Sequence, residues 1–146
     1  MEVIYPYLVI VHLCCAIIFV GFLFTDVVIL GYVFKRLGEE KAREVKSILG
    51  SIETKIMPPC LLLLILSGGA MLSSYIGGDK GYFESSFQTL LIIKAIFALS
   101  IFGLAAFSLS MYYVFKRPNP LGKYTHPIVF GIAVIVVLLA KFMFIV

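Results

Sequence analysis

Charge is what this sequence has least of. Asp, Glu, Lys and Arg make up 14% of 146 residues, while 62% are hydrophobic and the mean hydropathy is +1.09. A soluble domain of this size needs far more polar surface, so composition excludes one. Long polar stretches are missing too. No linker is long enough to divide the chain, and there is no internal repeat or low-complexity tract. The period-2 alternation of a barrel strand is absent. Among the three cysteines there is no CxxC, and nothing suggests a nucleophilic triad, a phosphate loop or a nucleotide fingerprint. The N-terminus carries Glu2, lacks a basic n-region and leads into an apolar stretch too long for a cleavable signal.

What is there is apolar and segmented. Four runs exceed or approach the ~20 residues that cross a bilayer: Val3–Phe34, Ile56–Gly77, Phe87–Phe115 and Pro127–Val146. In hydrocarbon each backbone group must find an internal partner, so each run is expected to be a helix. The first is long for one crossing and is expected to tilt or to project at its end. Pro58 and Pro59 are expected in the first turn of the second span, where a missing amide donor is tolerated. The charged segment Gly38–Lys55, with an Glu39–Arg43 i,i+4 pair, is expected to extend the first two spans as a short helical hairpin. Its plainer reading is a solvated connector. Gly77, Gly78 and Gly81 mark one turn, and the run Arg117-Pro118-Asn119-Pro120-Leu121-Gly122 marks another.

The basic residues set an orientation. Lys35, Arg36, Lys41, Arg43, Lys46 and Lys55 lie in the first connection, and Lys116, Arg117 and Lys123 in the third. The second holds Lys80 alone, against Asp79 and Glu84. By the positive-inside rule the first and third connections are cytoplasmic and both termini lie outside. The net charge of +4 reflects this rule and gives no reason to expect nucleic acid as a partner.

Polar residues inside apolar runs need a reason. His12 sits within Val3–Phe34, and Met71, Lys94 and Lys141 fall at a similar depth on the other three spans. On the first span Tyr5, His12, Phe19 and Asp26 recur every seven residues, so they form one stripe facing the bundle interior or a partner subunit. His12 is either a ligand or a histidine satisfied by a neighbouring helix. Met71 is a space-filler or the second ligand of a metal. Lys94 either snorkels or anchors an anionic group, and Lys141, nearer its helix end, suits snorkelling better. An imidazole, a thioether and ammonium groups in one layer suit a haem: axial ligands, and cations for the propionates. Ser67, Gly68 and Gly69 let a helix or a flat ligand approach the backbone.

Asp26 and His126 form a second layer, as a structural ion pair or as proton-handling groups. His126 is too far from His12 for both to ligate one metal within a single chain. Cys14 and Cys15 belong to one half of the first span and Cys60 to the start of the second. They are not expected to converge on one metal, and buried free thiols that behave as small apolar residues are the reading that fits.

The stretch from His12 through Phe19 and Gly21 to Phe24 resembles the first-helix signature of the CopD-like membrane family, a His followed by an aromatic and a Gly seven and nine residues later. The remainder resembles the HemJ family, the membrane protoporphyrinogen oxidases. The corresponding elements are Pro59 onward to Gly68-Gly69-Ala70-Met71-Leu72, then Leu91-Ile92-Ile93-Lys94, then His126-Pro127 with a terminal Lys141. This resemblance covers nearly the whole chain. It implies a four-helix haem b protein with His12 as a ligand, Met71 as a candidate for the other and a role for Lys94. The Arg and second His that the HemJ family carries at the end of its first helix are replaced here by Asp26 and apolar residues. The Tyr-His of its third helix is replaced by the segment Ser108 to Tyr113, and the Asn-Glu before its last-helix Pro by Thr125-His126. The resemblance therefore implies haem binding more directly than porphyrinogen oxidation.

The expectation is an all-α fold: one integral membrane four-helix bundle of up-down topology over residues 1–146, with both termini on the outer, periplasmic side of a bacterial inner membrane. The expected function is b-type haem binding for electron transfer or HemJ-like porphyrinogen oxidation, with membrane lipid, haem, a homo-oligomer and a redox partner as associates. Two other readings stay open. One is CopD-like copper handling at His12, Met71 and Cys15. The other is a structural or assembly subunit whose polar stripe packs on a partner span.

Overall fold

The computed structural model describes residues 3–116 and 122–145. Among them every regular element is helical and no strand occurs. Four long helices follow in order: α1 (Tyr5–Phe34), α2 (Glu39–Leu72), α3 (Ser86–Tyr113) and α4 (Gly122–Phe142). All four are long and apolar enough to cross a membrane. Large apolar side chains such as Ile10, Ile17, Leu66 and Ile96 are exposed along them. Water does not tolerate such continuous faces; lipid does.

α1 begins with Pro6 in its first turn, where the missing N–H is not needed. It continues for 30 residues, roughly 45 Å at ~1.5 Å per residue. The helix widens over Thr25–Leu30 into a π-helical turn before returning to α geometry at Gly31. Such turns insert an extra residue and re-aim side chains, commonly at functional positions. Asp26 is its second residue. At its start the Thr25 hydroxyl donates to the Gly21 carbonyl at 2.9 Å.

The charged segment Gly38–Lys55 is helical, as the hairpin expectation had it, but it extends the second span alone: after a turn over residues 35–38 it is the first half of one helix, α2, of 34 residues. Glu39 and Glu40 occupy its first turn, where carboxylates oppose the helix dipole favourably. Pro58 and Pro59 consequently lie inside the helix rather than at its start. Just upstream, the Ser51 hydroxyl donates to the Ile48 carbonyl at 2.7 Å and the Thr54 hydroxyl to the Gly50 carbonyl at 3.0 Å. Side-chain bonds of this kind to preceding carbonyls are a common way for Ser and Thr to be satisfied inside an apolar helix. α2 ends at Leu72, short of the expected Gly77. α3 matches the expected third span closely, with Ser85 capping it by accepting from the Gln88 amide. α4 starts at Gly122 rather than Pro127, which leaves Pro127 inside it, and it ends at Phe142. The turn expected over residues 117–121 lies outside the described residues.

α1 packs most extensively on α2, and α3 on α4. The two pairs meet along α1–α4 and, more sparingly, along α2–α3. The buried centre is apolar and draws on all four helices: Phe19 and Leu23, Leu61, Ile101, then Val129 and Ala133.

The glycine turn between α2 and α3 is fastened by one side chain. Gly77, Gly78 and Gly81 have φ of 98°, 56° and 68°, values that other residues rarely adopt. Gln88 reaches back from α3, donating to the carbonyls of Tyr75 and Lys80, both at 2.9 Å, and accepting from the Glu84 amide at 2.8 Å. Gln88→Leu keeps the size but leaves those backbone groups unpaired. It is expected to lower unfolding stability by about 1–3 kcal/mol in a detergent-based denaturation series. Wild-type stability in that variant would show that the turn holds without Gln88.

Candidate functional site

The seven-residue stripe of α1 is its inward face. Tyr5 and Tyr75 hydroxyls meet at 2.9 Å, and His12 meets Ser67 at 3.0 Å. Further along, the Cys60 thiol donates to the Cys15 carbonyl at 3.2 Å, and Asp26 meets His126. Residue numbers rise along α1 as they fall along α2. The facing positions on α2, namely Glu53, Met57, Cys60, Ser67 and Met71, are half-buried or buried and repeat at the same spacing.

Two polar layers result. In the first, His12 lies against α2 at Ser67 and Gly68. The Ser67 hydroxyl gives its single proton to the Leu63 carbonyl at 2.5 Å, so towards His12 Nδ1 it acts as an acceptor. A neutral ring with its proton on Nδ1 keeps its lone pair on Nε2, the arrangement of a metal-ligating histidine oriented by a second hydrogen bond. Gly68 makes room for this ring, because a Cβ there would stand 3.1 Å from His12 Cε1.

Lys94, half-buried on α3, lies within electrostatic range of His12. Among the described residues it has no carboxylate or hydrogen-bond partner. Met71 is one turn beyond Ser67 on the same face of α2 and is half-buried. Lys141 is exposed and stands outside this layer.

All three cysteines are free thiols, and Cys15 and Cys60 are buried next to one another because α2 starts so far upstream that Cys60 sits in its middle. Cys14 is exposed. Among the described residues no group of three or more His, Cys, Asp or Glu side chains is placed to hold a metal ion.

The second layer is a three-residue cluster. His126 Nδ1 lies 2.5 Å from Asp26 Oδ2, and its Nε2 lies 3.0 Å from Glu53 Oε1. A carboxylate only accepts, and a neutral imidazole has one N–H, so a ring that donates to both carboxylates is an imidazolium. The cluster joins α1, α2 and α4, at the π-helical turn of α1. It borders a cavity of about 490 Å³ between the four helices, lined by His126 and Glu53 among mostly apolar neighbours.

Glu53 was not among the candidate residues, and Ser67 was not recognised as the partner of His12. A signal for both exists: extended through the prolines, the stripe of α2 contains Glu53 at one end and Ser67 and Met71 at the other.

The chain was compared with protein-family models, with curated proteins and with solved structures, and it matches none of them.

His126→Ala removes the only cation between Asp26 and Glu53. It is expected to lower stability by about 1–3 kcal/mol, whereas His126→Ala made together with Asp26→Asn and Glu53→Gln should recover most of that loss. Equal unfolding midpoints for the single and triple variants would show that the two carboxylates do not repel one another.

Proposed function

We propose that this chain is a haem b protein of the bacterial inner membrane, an up-down four-helix bundle with both termini outside. It serves electron transfer or the oxidation of a porphyrinogen. The observation that carries this reading is the hydrogen-bond chain from His12 Nδ1 through Ser67 to the Leu63 carbonyl. With the Ser67 proton given to Leu63, the imidazole donates at Nδ1 and keeps a lone pair on Nε2, which supports a ligand role. His12 is then the iron ligand. Lys94, a half-buried cation with no counter-ion among the described residues, suits a propionate.

Met71, or a residue of a second copy of the chain, completes the coordination. Haem supplies one-electron chemistry at a potential set by its axial ligands and surroundings. The chain's own residues orient the ligand ring, neutralise the propionate and exclude water by the lipid-facing walls. Asp26, His126 and Glu53 hold protons at the other end of the bundle. The up-down course is supported by the opposed contact order of α1 with α2, and the orientation by the basic first connection.

Copper handling is the second reading. It is favoured by Cys15 and Cys60 meeting one turn from His12, which gathers soft ligand atoms.

Protein expressed with ample haem is expected to show a Soret band and a positive pyridine haemochrome assay. His12→Ala should abolish both, and Ser67→Ala should lower haem affinity by about tenfold or more through loss of the orienting bond. A colourless wild type, or a His12→Ala variant with the wild-type spectrum, would overturn the haem reading. Copper found by mass spectrometry in that colourless protein would establish the second reading instead.

A further inference from the structure

The cavity beside Asp26, His126 and Glu53 has no part in holding haem at His12, and its chemistry is distinctive. It has a volume of about 490 Å³, within the range of small-molecule sites. Its apolar lining includes Phe19, Leu23, Leu61 and Leu109. His126, Glu53 and Lys46 line it too, together with hydroxyl side chains from α2, α3 and α4. Glu53 spends Oε1 on His126. Its other oxygen has no partner among the described residues, so it can accept a hydrogen bond from an occupant.

We propose that this cavity binds the headgroup of a lipid-soluble quinol, a neutral aromatic diol with an apolar tail. Two carboxylates and one imidazolium in the cluster, with the Lys46 ammonium that also lines the cavity, leave its charges close to balanced, which suits an uncharged occupant better than a fatty acid or a lipid phosphate. A phenolic O–H can donate to Glu53, whose charge is held in place by His126. The ring fills the space between Phe19 and Leu109, and the tail leaves between helices into lipid. The oxidised quinone offers only carbonyl acceptors, and facing a carboxylate it meets lone pairs with lone pairs. The site therefore prefers the reduced form. Quinol binding here requires no haem.

The test titrates the full-length protein in phosphatidylcholine nanodiscs with decylubiquinol and decylubiquinone, subtracting partition into empty discs. Saturable binding is expected, with the quinol favoured by about fivefold or more. Gly50→Phe is the cavity-filling variant. Gly50 lines the cavity in the body of α2, and a Cβ there meets nothing within 4 Å, so the substitution places a ring into open space. It should weaken binding of both forms by about tenfold. Glu53→Gln should weaken quinol binding about tenfold and change quinone binding by less than about twofold, since only the quinol donates to that side chain. If Gly50→Phe is not monodisperse, Ala105→Phe fills the same space from α3.

No saturable binding above empty discs, equal affinity for the two forms, or wild-type binding by a well-folded cavity-filling variant would each overturn the proposal. A haem-free preparation that still binds the quinol supports this site while ending the haem reading. A haem-loaded protein that binds no quinol does the reverse.

Discussion

A polar side chain held in hydrocarbon has one stable place, against another polar group inside the protein. The contacts between α1 and its neighbours follow from that constraint. His12 rests on Ser67, the Cys60 thiol on the Cys15 carbonyl, Tyr5 on Tyr75, and Asp26 with Glu53 on His126. Apolar burial gives little directional preference here, because lipid tails solvate Leu and Ile as well as another helix does. The interior is correspondingly thin: among the described residues no large side chain has less than 2% of its surface exposed. Register is thus set by a few hydrogen bonds. A slip of one turn between α1 and α2 would strand a histidine, a thiol and a carboxylate together.

The same contacts explain two local irregularities. The π-helical turn at Thr25–Leu30 changes the phase of α1 at the point where Asp26 must turn towards α4. The small residue Gly68 lets the His12 ring lie on the backbone of α2, at a distance that a side chain of any size would compress. Both are places where helix regularity or propensity yields to the placement of an ionisable group, and both lie on the seven-residue stripes.

Much of this was legible in the sequence. Four apolar runs gave four helices, and the repeat of Tyr5, His12, Phe19 and Asp26 gave the inward face of α1. The proximity of Asp26 to His126 followed from depth counting alone. The starts of α2 and α4 were not legible, for a single reason: a proline in the sequence marks a boundary in water. Pro58, Pro59 and Pro127 all lie inside helices. In a membrane helix the competing conformation has unpaired backbone in hydrocarbon, so a helix tolerates a proline that would end it in water. Placing the start of α2 at Pro58 cut Glu53 from its stripe and hid the third member of the cluster. It also moved Cys60 a long way from Cys15. Ser67 was visible as a small residue, but its bond to the Leu63 carbonyl depends on the helix geometry and could not be read from the sequence.

The two polar layers are separated by the apolar centre of the bundle, where Phe19, Leu23 and Leu61 meet Val129 and Ala133. That centre also holds Cys15 and Cys60, and four of its residues, Phe19, Leu23, Leu61 and Val129, line the cavity beside His126 and Glu53. The Asp26–His126–Glu53 cluster therefore faces the cavity side of the apolar centre, while His12 and Ser67 meet on its other side. On the haem reading proposed above, iron held at His12 and protons held at the cluster would lie on opposite sides of one apolar layer, so a substitution in either polar layer would leave the contacts of the other in place.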